Sequence, residues 1–123
     1  MYQDRGQMMS LPMKRPLRYV HVEENEAAVA RIQQTLQAGG YEAEPLVVQT
    51  ADELAAAIYE PKWDLVLTEW TLPTFNAKAA LVQLADRAVD VPIIVVSEVS
   101  EEDVIVDALK TGAHDYVIKG RLA

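Results

Sequence analysis

The sequence has no cysteine, which rules out disulfides and thiolate-bound metals anywhere in its 123 residues. Its two histidines, His21 and His114, are too far apart in the chain to make a metal-ligand pair of the usual spacing. Glycine is scarce, with five in all, and neither G-x-G-x-x-G nor G-x-x-x-x-G-K-[ST] occurs, so the common phosphate-cradling loops are missing. Positive charge is short as well: 11 Lys and Arg stand against 19 Asp and Glu, a formal net charge of −8. That balance disfavours the many phosphate contacts of nucleic-acid binding, and no basic stripe offsets it. No apolar stretch approaches the roughly 20 residues of a membrane span, and the N-terminus lacks a secretory apolar core. The expectation is a cytoplasmic protein with neither nucleic-acid nor membrane partners.

Half of the residues are apolar, enough for one domain with an ordinary core. Residues 1–16 mix proline, methionine and scattered charge without periodicity, and are expected to be a flexible leader preceding a domain at 17–123. "LRYVHV" (17–22) reads as a strand, and 24–40 as a helix with Ala28, Val29, Ile32 and Leu36 on one face and a Gly39-Gly40 stop. "AEPLVVQ" (43–49) is a strand whose Pro45 suits a sheet edge, and 51–60 is its helix. "WDLVLT" (63–68) and "VPIIVVS" (91–97) are continuous apolar runs, the mark of parallel strands covered on both faces. Between them lies a helix at 76–87, capped by Asn76. A helix at 100–112 opens with Ser100 and Asp103 in a near capping box, and "DYVIK" (115–119) is a fifth strand. Strands alternating with helices predict an α/β fold, a doubly wound parallel sheet of five strands.

In such sheets the functional crevice lies beyond the carboxyl ends of the strands. The residues there are Glu23 and Glu24 after the first strand, Glu69 after the third, Ser97 and Glu98 after the fourth, and Lys119 after the fifth. This succession, with Pro73 four residues beyond Glu69 and "GAHDYVIKG" around the last strand, resembles the receiver domain of two-component response regulators. The resemblance covers about 105 residues from Leu17 onward and implies a flavodoxin-like sheet of order 2-1-3-4-5. It also implies an acidic pair for Mg²⁺ at Glu23 and Glu24 and a phosphoacceptor position at Glu69. Ser97, Tyr116 and Lys119 would be the phosphate-contacting and switch residues, and the partner would be a histidine kinase or another signalling protein.

The sequence departs from that family where the chemistry is most exacting. Glutamate stands at each of the three acidic positions carried over. Its extra methylene moves the carboxylate by about an ångström, and a nucleophile misplaced by about 1 Å can lose on the order of 10²-fold in rate. Mg²⁺ demands near-octahedral oxygens at about 2.0–2.1 Å, which makes the lengthened side chains a poor cage. Glu98, beside Ser97, would crowd and repel a phosphoryl group. The expectation is therefore a degenerate receiver, not an enzyme, in which Glu69 pairs with Lys119 and partner binding sets conformation. The alternative is a working phosphoacceptor fed by a histidine kinase with Mg²⁺.

Each feature also has a plainer explanation. Glu23, Glu24 and Glu26 can simply favour the positive end of a helix. Tyr116 and His21 can be packed core residues, His21 hydrogen-bonded there, and His114 an exposed turn residue. Trp70 can be buried against a helix or exposed to a partner. A flavodoxin-type cofactor protein would need a hydroxyl- and glycine-rich loop where this chain has "EENE", and a hydrolase would need a base near Ser97. The family's fifth helix has no counterpart after "GRLA" (120–123). Apolar surface is therefore expected on strands one and five, along with a tendency to dimerise. "KG" after the last strand is similar to receiver modules embedded in multidomain sensor proteins.

Overall fold

The two continuous apolar runs become the centre of a parallel sheet. In the computed structural model, which describes residues 14–60, 62–72, 76–87 and 90–121, β1 (Arg15–Val22), β2 (Tyr41–Val48), β3 (Leu65–Thr68), β4 (Ile93–Ser97) and β5 (Asp115–Ile118) alternate with four helices. These are α1 (Glu26–Ala38), α2 (Ala51–Ile58), α3 (Ala77–Arg87) and α4 (Glu102–Thr111). The strand order is β2-β1-β3-β4-β5, all pairs parallel, so the flavodoxin-like topology holds. Pro45 sits on the edge strand β2, where a missing N–H is tolerated.

Both faces of the central strands are covered because successive side chains point opposite ways. Val20, Val22, Val66 and Val95 pack on one side with Leu54 of α2, Leu81 and Leu84 of α3 and Ala108 of α4. Tyr19, Leu67 and Val96 face the other side with Ile32 of α1. Full burial of each such leucine contributes about 1.5–3 kcal/mol, and Leu54, Leu81 and Leu84 are all fully enclosed. The turn from α4 into β5 passes through Gly112 at φ 141°, a conformation closed to ordinary side chains, and a Cβ there would lie 3.0 Å from that of Ala85.

Several local expectations need correction. β1 starts at Arg15, ahead of Leu17, because the β1–β2 ladder runs back to the pair Arg15–Tyr41. Residues 1–13 of the expected leader, and Pro73, lie outside the described residues. Ser100 does not cap α4: the cap is Glu101, which makes no side-chain capping bond, since the helix starts one residue later than the Ser-Glu-Glu-Asp pattern suggests. Asn76 does cap α3, accepting from Ala79 N at 3.1 Å. On the face expected to be apolar and exposed, Tyr19 of strand one is enclosed in the cluster with Ile32 and Leu67, while Leu17 of the same strand and Val117 of β5 are half-buried.

Candidate functional site

Parallel pairing brings the carboxyl ends of β1, β3, β4 and β5 to one edge, and the residues following them meet there. The backbone continues the ladder one step past the strands: Glu23 N donates to Val48 O at 3.2 Å and Glu69 N to Val22 O at 3.0 Å. Both carboxylates are thereby fixed in place and buried. Lys119 leaves β5 in a short 3₁₀ turn (Lys119–Arg121) and reaches between them, with Nζ 2.7 Å from Glu23 Oε1 and 2.6 Å from Glu69 Oε1.

The second oxygen of each glutamate is also committed. Glu23 Oε2 accepts from Glu24 N at 3.0 Å and Asn25 N at 3.2 Å, closing the loop into α1. Glu69 Oε2 accepts from Trp70 N at 2.5 Å and Thr71 N at 2.9 Å. Every charged oxygen thus has a donor, the condition under which buried charges are tolerated. Burial alone would raise the Glu69 carboxyl, but the Lys119 ammonium, the Ser97 hydroxyl and the Thr71 N–H together hold it below the usual carboxylate range. Burial would lower Lys119, yet its bonds to Glu23 and Glu69 hold it above the usual range. Charge is therefore retained on both partners at neutral pH.

The remaining predicted residues occupy distinct places. Ser97 is fully buried and its hydroxyl accepts from Val99 N at 3.2 Å. Tyr116 is half-buried and its hydroxyl donates to Val99 O at 2.6 Å, so β5 and the β4–α4 loop are tied through one residue. Glu24 is half-buried, gives its N–H to Glu23, and with Glu26 and Val47 lines a concavity of about 270 Å³ beside the cluster. Glu98 is exposed, with Oε1 3.7 Å from where a Cβ on Gly120 would stand. Trp70 is half-buried against the α2–α3–α4 side of the core.

Two contributors were not foreseen. Arg31 of α1 donates from Nη2 to Lys119 O at 2.9 Å and anchors the turn that carries the lysine; 88 residues separate the pair, and no local pattern signals it. Thr71 supplies a backbone donor, which any residue type could provide. His21 is packed as expected, 1% exposed, and its Nδ1 has no hydrogen-bond partner among the described residues. Burial and the Lys119 charge lower its pKa to about 4 despite the opposing Glu69 carboxylate, so the imidazole is neutral. His114 is exposed, and its Nδ1 accepts from Ile93 N at 2.9 Å.

The sequence model of the response regulator receiver domain matches residues 20–121. The chain belongs to this family. Among curated relatives, it is 34% identical over 90 residues to the phosphate regulon transcriptional regulatory protein PhoB of Pseudomonas aeruginosa, covering 68% of this chain and 37% of that protein. It is 26% identical over 109 residues to the chemotaxis protein CheY of Treponema pallidum, covering 88% and 76% of the two chains. The receiver domain of the TMAO respiratory system response regulator TorR superposes with a TM-score of 0.69 at 30% identity, covering 85% of this chain and 84% of that one. A CheY-like receiver from Methanospirillum hungatei JF-1 gives 0.68 at 26%, covering 84% and 81%. This receiver domain thus spans well under half the length of its PhoB relative. Receiver domains act in two-component signalling with histidine kinases and other proteins, are generally not enzymes, and commonly bind Mg²⁺ or Mn²⁺.

The residues present do not fit that cation in this arrangement. All four oxygens of Glu23 and Glu69 already accept hydrogen bonds, and an ammonium sits between the two carboxylates. Among the described residues no group of three His, Asp or Glu side chains is placed to hold a metal. A divalent ion between these carboxylates would meet the Lys119 ammonium that already bridges them.

Proposed function

We propose that this chain is a degenerate receiver, a cytoplasmic signalling module that works through protein contact and carries out no phosphoryl transfer of its own. The observation that carries this reading is the Lys119 ammonium held 2.6 Å from Glu69 and 2.7 Å from Glu23. In this reading Glu69 occupies the acceptor position and Glu23 and Glu24 the acidic pair, with Ser97, Tyr116 and Lys119 in the phosphate-contact and switch positions. The ammonium supplies internally the positive charge that a bound cation would otherwise bring. Glu98 adds negative charge at the entrance, which disfavours an incoming phosphodonor. The partners are a histidine kinase or other signalling proteins, including further parts of a larger sensor protein, and the isolated domain tends to form a homodimer.

The second reading, a working phosphoacceptor with Mg²⁺, is favoured by one observation: Ser97 and Lys119 are buried at the same strand ends as Glu69, where a phosphoryl group would need them. Incubation with acetyl phosphate and Mg²⁺, followed by intact-mass and peptide mass spectrometry, separates the two. The degenerate receiver gives no adduct, and a stable phosphoryl group on Glu69 overturns it.

A further inference from the structure

The edge strand β2 leaves two large apolar side chains in solvent at consecutive positions, Leu46 at 41% and Val47 at 38% exposure. Consecutive residues point to opposite sheet faces, so the strand's outer border is apolar on both sides. Concavities converge on it. One of about 320 Å³ lies between Leu46, Val47 and Ala56 of α2, with Glu53 and Glu60 at its rim. A second, of about 290 Å³, continues from Leu46 past Pro45 to Trp63 and is bordered by Arg18, Glu44 and Lys62. Val47 also lines the concavity beside Glu23 and Glu24, which connects this border to the carboxylate cluster.

Resting on the reading that the chain acts by protein contact, we propose that this border docks a cationic amphipathic helix of a partner protein. The chemistry of the rim selects the charge. Glu53 is held in place by a reciprocal cap, its N–H donating to Thr50 Oγ1 at 3.1 Å and its Oε1 accepting from Gln49 N at 2.7 Å. Glu53 and Ala56 line the groove from α2, and Glu60 from just beyond its C-terminus, where it pairs with Lys62 at 2.9 Å. With Glu24 and Glu26 in the adjoining concavity, carboxylates still outnumber the cations Arg18 and Lys62 around a small residue that admits a bulky apolar side chain. A strand is the poorer occupant. Proline in a paired strand is tolerated where its missing donor faces outward, so an added strand would find no N–H at Pro45. A second copy is poorer too, because none of the four helices carries more than two Lys or Arg and the chain's net charge is −8.

Titration of the ¹⁵N-labelled chain with an 18-residue Leu/Lys amphipathic peptide, its Leu/Glu counterpart and an alternating Val/Lys strand peptide tests this. The Leu/Lys helix should shift Leu46, Val47, Ala56 and the Trp63 indole. Leu46→Asp and Ala56→Arg should each weaken it by about tenfold, while Val82→Asp on exposed α3 leaves it unchanged. Equal binding of the Leu/Glu or Val/Lys peptide, shifts centred on α3 or α4, or full affinity in both groove variants overturns the proposal. So does a dimer in sedimentation that Leu46→Asp dissociates, since it would make a second copy the occupant. A phosphoryl group on Glu69 accompanied by groove binding would refute the degenerate reading and leave this surface standing. Unmodified Glu69 without groove binding would do the opposite.

Discussion

Replacing Lys119 with methionine keeps much of the side-chain volume and removes the ammonium that two buried carboxylates share. In the native protein the three groups are almost fully enclosed, with side-chain exposures of 11% for Lys119, 5% for Glu23 and 6% for Glu69. Breaking a buried ion pair by deleting one partner typically costs about 3–5 kcal/mol, because the charge left behind is uncompensated. Here two carboxylates are left facing one another, although each keeps its backbone donors, so the middle of that range is expected at pH 7. For a domain of this size the corresponding fall in Tm is roughly 10–20 °C. The cost depends on pH in a defined sense. In Lys119→Met, protonating Glu69 removes the repulsion, so the deficit shrinks as pH falls from 7 towards 5, whereas the native protein gains nothing over that interval from this pair. Urea unfolding followed by far-UV circular dichroism at pH 7 and pH 5 measures both quantities. A variant within about 1 kcal/mol of the native protein at pH 7, or a deficit that grows on acidification, would refute a structural ion pair. The double variant Glu69→Gln/Lys119→Met should recover part of the loss, because it removes one of the two opposed charges.

Two further outcomes follow from the same cluster. His21 is neutral and its pKa is lowered to about 4 from 6.5 in the unfolded chain, so its contribution is fully present above pH 6.5 and is lost as pH falls towards 4. That contribution amounts to roughly 3 kcal/mol at 1.36 kcal/mol per pH unit. His21→Leu should flatten the stability profile between pH 6.5 and pH 4, and an unchanged slope in urea unfolding would refute the assignment. Glu69→Asp withdraws the acceptor-position carboxylate from Lys119 by about one methylene. Modification by acetyl phosphate with Mg²⁺ should then exceed that of the native chain on the order of 10²-fold, and equal labelling of the two proteins by mass spectrometry would show that side-chain length is not what prevents it.

The sheet was legible because its signal is local. The apolar runs within 63–68 and 91–97 are too short for helices and match strands covered on both faces, and Pro45 suits the edge position its strand takes. The site was legible as a set of positions, since parallel topology sends every strand's carboxyl end to the same side. Its internal arrangement was less so. The start of β1 at Arg15 depends on pairing with β2, 26 residues further along, and the cap of α4 on where the preceding loop releases the chain. The anchoring of Lys119 by Arg31 and the solitary Nδ1 of His21 follow from neighbours that only packing supplies.

By itself the sequence determined the order of elements, the edge and centre of the sheet, and the convergence of Glu23, Glu69, Ser97 and Lys119. Periodicity and topology are enough to fix these. Only the tertiary structure decided that one ammonium would bridge two glutamates while backbone amides took up their remaining oxygens. That outcome depends on side-chain reach and desolvation across tenths of an ångström, which no spacing along the chain records. In "TEWTLP" the sequence supplied a glutamate at a strand end, and the fold supplied the lysine that holds it.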